Sequence, residues 1–292
     1  CGNWSNTVLK EIKNNKNFNL ESVFCRNYNS KKIKFDNSIK IYENIESFFL
    51  KNINDCIYVA GSPELNFKAV NLAIKNKIPL ILEKPISNNS QNLEKIQFLT
   101  NKYKLIIIPN LTNYFSDSFN YLKNYVDKNF DQIKRIIIFE GGNGPYRKNI
   151  HPIWDWGFHS FSTLLTIFEN KIFSKIIKEE IKSNAYTNDV ITRFNFRVES
   201  KFDVKLISGN LLKQKIRKFK IILKNNNVLE SNMINHKIYL NKKIVFESNM
   251  TPLQSLLNNF YKTIKESDTD YSKNLINISN KTTKILENFY NC

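Results

Sequence analysis

The chain has 292 residues, enough for two domains with sizeable cores, and it contains no run of about 18 apolar residues that would predict a membrane span. Its formal net charge of +18 comes mostly from dispersed lysines in a chain rich in Asn and Ile, as in proteins of AT-rich genomes, so no nucleic-acid partner is predicted. The four cysteines lack CxxC spacing, which argues against a zinc site or a disulfide framework and predicts a metal-free protein. No basic-then-apolar leader opens the chain, and together with the scattered cysteines this predicts a location in the reducing cytoplasm.

The chain begins in a glycine turn that leads directly into a predicted helix near Asn6 to Lys13. Gly2, Asn3 and Trp4 belong to a Cys-Gly-Asn-Trp-Ser turn, and one glycine before it would complete a GxGxxS pattern. Glycine there lets backbone N–H groups approach a pyrophosphate at the helix N-terminus. The turn predicts a dinucleotide site whose first strand lies outside this sequence, with an ordinary N-cap turn as the alternative.

The next predicted strand, Leu20 to Cys25, ends in a position that bears on the cofactor. An Asp or Glu at this point normally holds the ribose 2′-OH of the dinucleotide, and neither is present. Arg26, helped by Lys31 or Lys32, would instead pair with a 2′-phosphate. The expected cofactor is therefore NAD(P), with a slight preference for NADP. An equal alternative is that Arg26 is an ordinary surface arginine with no role in binding.

After a predicted helix at Ile45 to Lys51, a β-α-β unit is predicted from Cys56 to Leu82. Ser62 and Pro63 supply an N-cap hydroxyl and a first-turn proline for its helix, and its second strand stops in Glu83-Lys84-Pro85. Ligands bind at the carboxyl ends of such strands, so these residues are candidates for cofactor contacts and Lys84 is also a candidate for catalysis. A strand that simply ends in charge is the alternative.

The remaining elements divide the chain into two predicted domains. Strand and helix continue to alternate through Gln91 to Lys102 and Leu105 to Pro109, which predicts a doubly wound parallel sheet over residues 1–112. Residues 113–292 are predicted to form a second α/β domain with an open, mostly antiparallel sheet. Its strands are predicted at Ile133 to Glu140, Val190 to Val198, Phe202 to Ser208, Phe219 to Lys224 and Lys237 to Leu240, its helix at Phe158 to Phe168, and the terminal amphipathic helices at Pro252 to Lys265 and Ser272 to Tyr290.

Two basic or charged segments of the second domain have competing interpretations. The densest basic stretch, residues 213–224, alternates with apolar residues and is interpreted as a solvated sheet face, although a positive field suits an anionic substrate or a phosphorylated cofactor. In the second segment, Asp155 and His159 would lie on one helix face if the helix starts at Asp155. Such a pair suits a general acid/base. The alternative is a structural aspartate near the helix start and a histidine packed on aromatic rings.

The chain resembles the Gfo/Idh/MocA family of NAD(P)-dependent oxidoreductases over nearly its whole length. The resemblance rests on the CGNWS turn, the YVAGSPELNFKAVNLAIKNKIPLILEKP segment, the WDWGFH segment and the TPLQSLLNNFYKTI helix. It implies an N-terminal Rossmann domain, here without its first strand, a C-terminal α/β domain, and C-terminal helices at about 252–290 that pack back toward the first domain. Three positions depart from the family pattern: Ser5, Asn66 and Ser160.

The resemblance also implies a site and a reaction. Lys84 matches the lysine of the EKP motif, and Asp155 and His159 match the acid and the histidine of the DxxxH motif. These residues imply hydride transfer between nicotinamide and a secondary alcohol or ketone of a sugar, cyclitol or nucleotide-sugar derivative. The exposed face of the open C-terminal sheet predicts a homo-oligomer that associates through it. A non-catalytic NAD(P)-binding sensor or scaffold is the alternative. Candidates for the substrate wall are Tyr146, Arg147, Asn149, Trp154 and Trp156.

Overall fold

The computed structural model describes residues 3–26, 28, 35–50, 54–146, 150–182 and 189–290. The chain divides into two compact units: one comprises Cys1–Asn110 with Leu253–Glu287, the other Leu111–Pro252 with Asn288–Cys292. No helix in the described ranges is long and apolar enough to cross a membrane.

The first part of the chain alternates helices with short strands. Its elements are α1 (Asn3–Asn14), β1 (Ser22–Phe24), β2 (Lys40–Tyr42), α2 (Ile45–Leu50), β3 (Ile57–Val59), α3 (Pro63–Asn76), β4 (Leu80–Leu82), α4 (Ser90–Tyr103) and β5 (Ile107–Pro109). Parallel pairing joins β3, β4 and β5 in one sheet and β1 and β2 in another. The central strand β4 is fully buried, which explains its uninterrupted apolar sequence.

The rest of the chain is dominated by longer strands. Its elements are α5 (Asp117–Asn129), β6 (Ile133–Asn143), α6 (Pro152–Asp155), α7 (Gly157–Ile167), β7 (Phe173–Lys182), β8 (Val190–Val198), β9 (Phe202–Gly209), β10 (Leu211–Leu223), β11 (Val228–Asn232), β12 (Lys237–Leu240), β13 (Lys243–Glu247), α8 (Pro252–Glu266) and α9 (Thr269–Tyr290). One sheet holds eight strands in the order β13-β12-β11-β10-β6-β9-β8-β7, and only the β6-β9 pair in it is parallel.

These sheets confirm the predicted fold class, an α/β protein with a Rossmann-like parallel sheet followed by a mostly antiparallel one. The basic stretch after residue 212 lies in β10, whose side chains are exposed or half-buried over its first half, as a sheet-face strand requires. Six of the helices and strands named above were not predicted from the sequence: β2, α5, α6, β7, β11 and β13.

The core of the first unit packs helices onto the parallel strands. Leu80 and Leu82 of β4 and Ile107 of β5 have no exposed surface, and Ile276 of α9 belongs to the same apolar cluster. The Ser272 hydroxyl on α9 donates to the Ile107 carbonyl and accepts from the Ile107 N–H, both at 2.8 Å. The long terminal helix is therefore fixed to the β5 strand within this unit.

The first unit also contains a cavity of about 480 Å³ along β1 and β3. Its lining runs from Glu21 and Cys56 at one end of the two strands to Arg26 and Gly61 at the other. Among the described strands β1 pairs only with β2, and β3 only with β4, so the parallel strands form two sheets rather than one.

Candidate functional site

Lys84 follows the buried strand β4 at the carboxyl edge of the three-stranded sheet. The Glu83 N–H donates to the Val59 carbonyl at 3.1 Å, which extends the ladder by one residue beyond β4. The Lys84-Pro85 peptide bond is cis, and Lys84 itself is half-buried. The predicted position of this lysine at the end of a parallel strand is thus observed in the structure.

The side chain of Asn66 holds the backbone around Lys84. Asn66 has no exposed surface, and its amide nitrogen donates to the carbonyls of Glu83 at 2.9 Å, Ile86 at 3.2 Å and Pro85 at 3.4 Å. A buried amide that satisfies neighbouring carbonyls restricts a segment that has no regular secondary structure. Asn66, which the sequence marks only as a departure from the family pattern, thus fixes the chain on both sides of Lys84.

Glu83 joins three elements of the first unit. Its Oε1 atom accepts hydrogen bonds from Trp4 Nε1 at 2.6 Å, from the Tyr58 hydroxyl at 2.5 Å and from Asn110 Nδ2 at 2.9 Å. Burial and the adjacent Glu83 carboxylate raise the pKa of Tyr58 well above its ordinary value, so the phenol remains a proton donor. The structure therefore brings Trp4 and Glu83, two predicted cofactor residues, into direct contact.

Ser62 and Pro63, two predicted cofactor residues, begin helix α3 as the sequence predicted. Ser62 caps α3 by accepting from the Leu65 N–H at 3.4 Å, and Pro63 occupies its first turn. A Cβ atom on Gly61 would lie 2.3 Å from the Leu65 side chain, so a larger residue here would require that side chain to move. Ser5, exposed Arg26, Gly61 and Ser62 all line the cavity of the first unit, and Gly2 lies outside the described residues.

The donor set at this cavity fits a dinucleotide. Helix α1 starts at Asn3 and has no acidic residue of its own in the first turn, where a helix N-terminus favours a negatively charged ligand. Arg26 supplies a positive charge and Ser5 and Ser62 supply hydroxyl groups. These are the groups that bind a pyrophosphate and a phosphorylated ribose.

Asp155 and His159 belong to the second unit, whereas Lys84 belongs to the first. A helix that starts at Asp155, the condition for placing Asp155 and His159 on one face, is not observed: α6 ends at Asp155, Trp156 forms a turn, and α7 begins at Gly157, one residue before the predicted start at Phe158. The Trp156 indole N–H donates to the Gly144 carbonyl at 3.1 Å, which holds the turn. His159 is 6% exposed, so it lies within the protein rather than on its surface. The pairing of its ring with Asp155 stays a prediction.

A polar network that the sequence analysis missed lies beside His159. The Thr163 hydroxyl donates to the His159 carbonyl at 2.7 Å, and the Asn113 amide donates to Thr163 Oγ1 at 3.1 Å. The same amide is 3.5 Å from Glu140 Oε2, and Glu140 forms an ion pair with Arg217 across the β6-β10 register. Glu140 is 2% exposed, and a carboxyl group so deeply buried needs partners of this kind.

The predicted substrate-wall residues have different surroundings. Trp154 is buried in α6, whereas Tyr146 is 59% exposed and donates a hydrogen bond to Asn143 Oδ1. Trp156 is half-buried and contacts Gly144 as described above. Arg147 and Asn149 lie outside the described residues.

In the described part of the chain, no three His, Cys, Asp or Glu side chains cluster in a way that would hold a metal ion.

Comparisons with known proteins agree with this architecture. Residues 1–111 match the Gfo/Idh/MocA model, described as an oxidoreductase family with an NAD-binding Rossmann fold. A search of curated protein sequences gives no match. Among solved structures, a protein from Magnetospirillum magnetotacticum MS-1 shares 14% identity with a TM-score of 0.83, covering 98% of this chain and 95% of its own.

Two further solved structures are similar to most of the chain. One is the UDP-N-acetylglucosamine 3-dehydrogenase GnnA from Acidithiobacillus ferrooxidans, with 10% identity, a TM-score of 0.67, and coverage of 84% of this chain and 82% of that chain. The other is an inositol dehydrogenase homolog from Azotobacter vinelandii, complexed with NADH and myo-inositol, with 10% identity, a TM-score of 0.66, and coverage of 84% and 79%. Residues 1–111 therefore belong to the Gfo/Idh/MocA oxidoreductase family, and the chain as a whole shares the fold of these dehydrogenases.

Proposed function

We propose that the protein is an NAD(P)-dependent oxidoreductase that transfers hydride between nicotinamide and a secondary alcohol or ketone of a sugar, cyclitol or nucleotide-sugar derivative. The family match supports an NAD-binding oxidoreductase. The two dehydrogenases of similar fold act, by their names, on a nucleotide sugar and on inositol, which supports this substrate class. The proposed domains are those expected from the sequence, 1–112 for the cofactor and 113–292 for the substrate.

The observation that carries the proposal is the set of contacts around Lys84. Asn66 fixes the backbone on both sides of this lysine. The neighbouring Glu83 carboxylate accepts hydrogen bonds from Trp4, Tyr58 and Asn110. Lys84 is half-buried, and a lysine on a backbone held in this way would be pre-organised to act on a reacting group. A strand that simply ended in charge would need none of these contacts.

The proposed cofactor residues are Gly2, Asn3, Trp4, Arg26, Ser62, Pro63, Glu83 and Lys84. The positive charge of Arg26 at the cavity of the first unit favours a 2′-phosphate, which supports a preference for NADP over NAD. When bound, the dinucleotide supplies the hydride acceptor or donor. The chain itself supplies binding, orientation and proton transfer.

The proposed proton transfer uses three side chains. In the oxidative direction His159 takes the hydroxyl proton of the substrate, and Asp155 orients the imidazole and stabilises its protonated form. Lys84 lowers the hydroxyl pKa and polarises the developing carbonyl. Each contribution is worth on the order of 10²-fold in rate, and reduction uses the same groups in reverse.

The proposed substrate wall comprises Tyr146, Arg147, Asn149, Trp154 and Trp156, and the proposed assembly is a homo-oligomer in the cytoplasm. Strand β8 supports the assembly, because its residues alternate strictly between buried and half-buried, so the second face of the sheet is only partly covered. On the neighbouring strand β7, Ile177 is 58% and Ile181 44% exposed. Apolar side chains on an open sheet face suit a contact with a second copy.

Fluorescence titration with NADH and with NADPH tests the cofactor part of the proposal. We expect saturable binding of both, tighter for NADPH, with the preference reduced in Arg26→Gln. Lack of binding of either dinucleotide would contradict the proposal. A non-catalytic sensor of the same fold would bind the dinucleotide but give no hydride transfer with any sugar, cyclitol or nucleotide sugar tested.

A further inference from the structure

A second cavity lies entirely within the second unit and is rich in cationic side chains. Its volume is about 170 Å³, below the range of pockets that enclose whole ligands, so it has room for a single substituent group. Its polar lining includes Asn113 from the segment before α5, Lys215 and Arg217 from β10, and His236 from the β11-β12 turn. None of these residues belongs to the predicted catalytic or cofactor set.

The charges at this cavity are unbalanced. Arg217 is paired with the buried carboxylate of Glu140, and among the described residues no carboxylate forms an ion pair with Lys215. The other nearby acid, Asp117, accepts a hydrogen bond of 2.5 Å from the Ser248 hydroxyl. His236 Nδ1 is buried and has no hydrogen-bond partner in the part of the chain that the structure describes.

The pKa values of two lining residues are lowered, first by burial and second by the charge of Arg217. Burial lowers the pKa of Lys215, and the repulsion from Arg217 exceeds the attraction from Glu140. Burial also lowers the pKa of His236, where the repulsion from Arg217 exceeds the attraction from Asp117. A positive potential therefore acts on both residues, and an anion in the cavity would relieve it.

We propose that this cavity binds one oxyanion group, a carboxylate or a phosphate, carried by the substrate. Lys215 and Arg217 supply the charge, and the guanidinium has the planar donor geometry that carboxylates and phosphates bind. His236 supplies a hydrogen bond from its neutral ring. The statement that the bound anion is part of the substrate rests on the proposed function. The anion site itself is inferred only from residues of the second unit.

The network beside His159 connects this site to the proposed proton acceptor. Asn113, which lines the cavity, donates to Thr163, and Thr163 donates to the His159 carbonyl. The proposed anion site thus lies in the unit that carries His159, and it shares Asn113 with the network that reaches the His159 main chain. The inferred substrate is therefore an acidic derivative, a sugar acid or a sugar phosphate, rather than a neutral sugar or cyclitol.

Isothermal titration with glucose, glucuronate and glucose 6-phosphate, at low salt and with or without NADPH, tests the inference. We expect at least one of the two anionic compounds to bind tenfold or more tightly than glucose, and the tighter of the two identifies the group as carboxylate or phosphate. Lys215→Gln should weaken its binding about tenfold, because one charge-assisted contact is lost. Lys213→Gln, the same change two residues away on β10 and outside the cavity lining, should leave it unchanged.

Two outcomes would overturn the inference. One is equal binding of glucose and both acids in each condition, and the other is an equal loss in Lys213→Gln and Lys215→Gln, which would indicate general surface attraction. His236→Gln provides a second variant, because it changes no charge at neutral pH. It should weaken binding of the anionic compound about threefold or more. If the acids fail to bind while NADPH binds normally, the anion site is wrong and the proposed function stands. If NADPH fails to bind, the proposed function is wrong independently of this cavity.

Discussion

The Asn66 amide donates a hydrogen bond of 2.9 Å to the main-chain carbonyl of Glu83, the residue that precedes Lys84. The same amide reaches the carbonyls of Pro85 and Ile86. One fully buried side chain on α3 thus holds the short segment that follows β4. The position of Lys84 depends on a residue 18 positions earlier in the chain.

Asn66→Ala should destabilise the protein and slow the reaction together. The substitution leaves buried carbonyls without a donor, at a cost of about 1–3 kcal/mol in the free energy of unfolding for each carbonyl that finds no water. It also frees the backbone around Lys84, so kcat should fall more than dinucleotide affinity. Urea unfolding and steady-state kinetics measure the two effects.

Asn71→Ala is the matched control for this substitution. Asn71 lies on the same helix, is exposed, and donates to the Phe67 carbonyl at 2.9 Å. It should change stability by less than about 0.5 kcal/mol. Equal effects of the two substitutions would mean that Asn66 has no special role.

Tyr58→Phe should destabilise the first unit by removing a donor to Glu83. The ring is retained, so the cost is the loss of one hydrogen bond to a charged group, about 1.5–3 kcal/mol. Tyr42→Phe is the control, because the described contact of Tyr42 is ring packing on Phe48 with centroids 5.8 Å apart. If urea unfolding gives the same midpoint for Tyr58→Phe and the unsubstituted protein, the network around Glu83 contributes nothing to stability.

Lys84→Ala and His159→Asn should each reduce kcat by about 10²-fold or more, because each removes a proposed participant in proton transfer or charge stabilisation. His159→Asn should leave NADPH affinity within about twofold, since no cofactor contact is assigned to this residue. Rapid-mixing measurements of a single turnover separate the chemical step from product release. A substitution that changes KM alone would indicate a binding role.

The lowered pKa of His236 makes stability depend on pH. Burial and Arg217 hold the folded-state pKa below 6.5, so below about pH 6.5 the unfolded chain takes up a proton that the folded protein resists. The free energy of unfolding is therefore unaffected by His236 above the unfolded-state pKa. It falls as the pH drops from the unfolded-state pKa toward the lower folded-state pKa. His236→Gln should lose less stability than the unsubstituted protein between pH 7.5 and pH 5.5, as measured by urea unfolding. Parallel pH curves would show that His236 is not perturbed.

The parts of the fold that the sequence predicted well are local. The unit from Cys56 to Leu82 was predicted because its strands are consecutive and its helix begins with Ser62 and Pro63, signals that act over a few residues. Strand β2, at Lys40–Tyr42, was missed because three residues show no periodicity. Strands β11 and β13 are five residues each and depend on pairing with their neighbours in the sheet.

The parts of the site that the sequence could not predict depend on register. Glu140 and Arg217 face each other on neighbouring strands 77 residues apart, and no local pattern fixes that pairing. A carboxylate directly after the apolar run IIIF was the one available signal of a buried charge. The short helix α6 was missed because the turn at Trp156 that separates it from α7 is held by the indole contact with Gly144, 12 residues earlier, rather than by helix propensity.

The central claim is hydride transfer that depends on Lys84, and the most direct measurement is the absorbance of reduced nicotinamide. The purified protein would be mixed with NAD⁺ or NADP⁺ and a panel of neutral sugars, cyclitols, sugar acids, sugar phosphates and nucleotide sugars. We expect at least one compound to reduce the dinucleotide, with the rate falling about 10²-fold in Lys84→Ala while Lys77→Ala, at the C-terminal cap of α3, leaves it unchanged. Dinucleotide binding without turnover of any compound, or turnover that Lys84→Ala does not slow, would contradict the account.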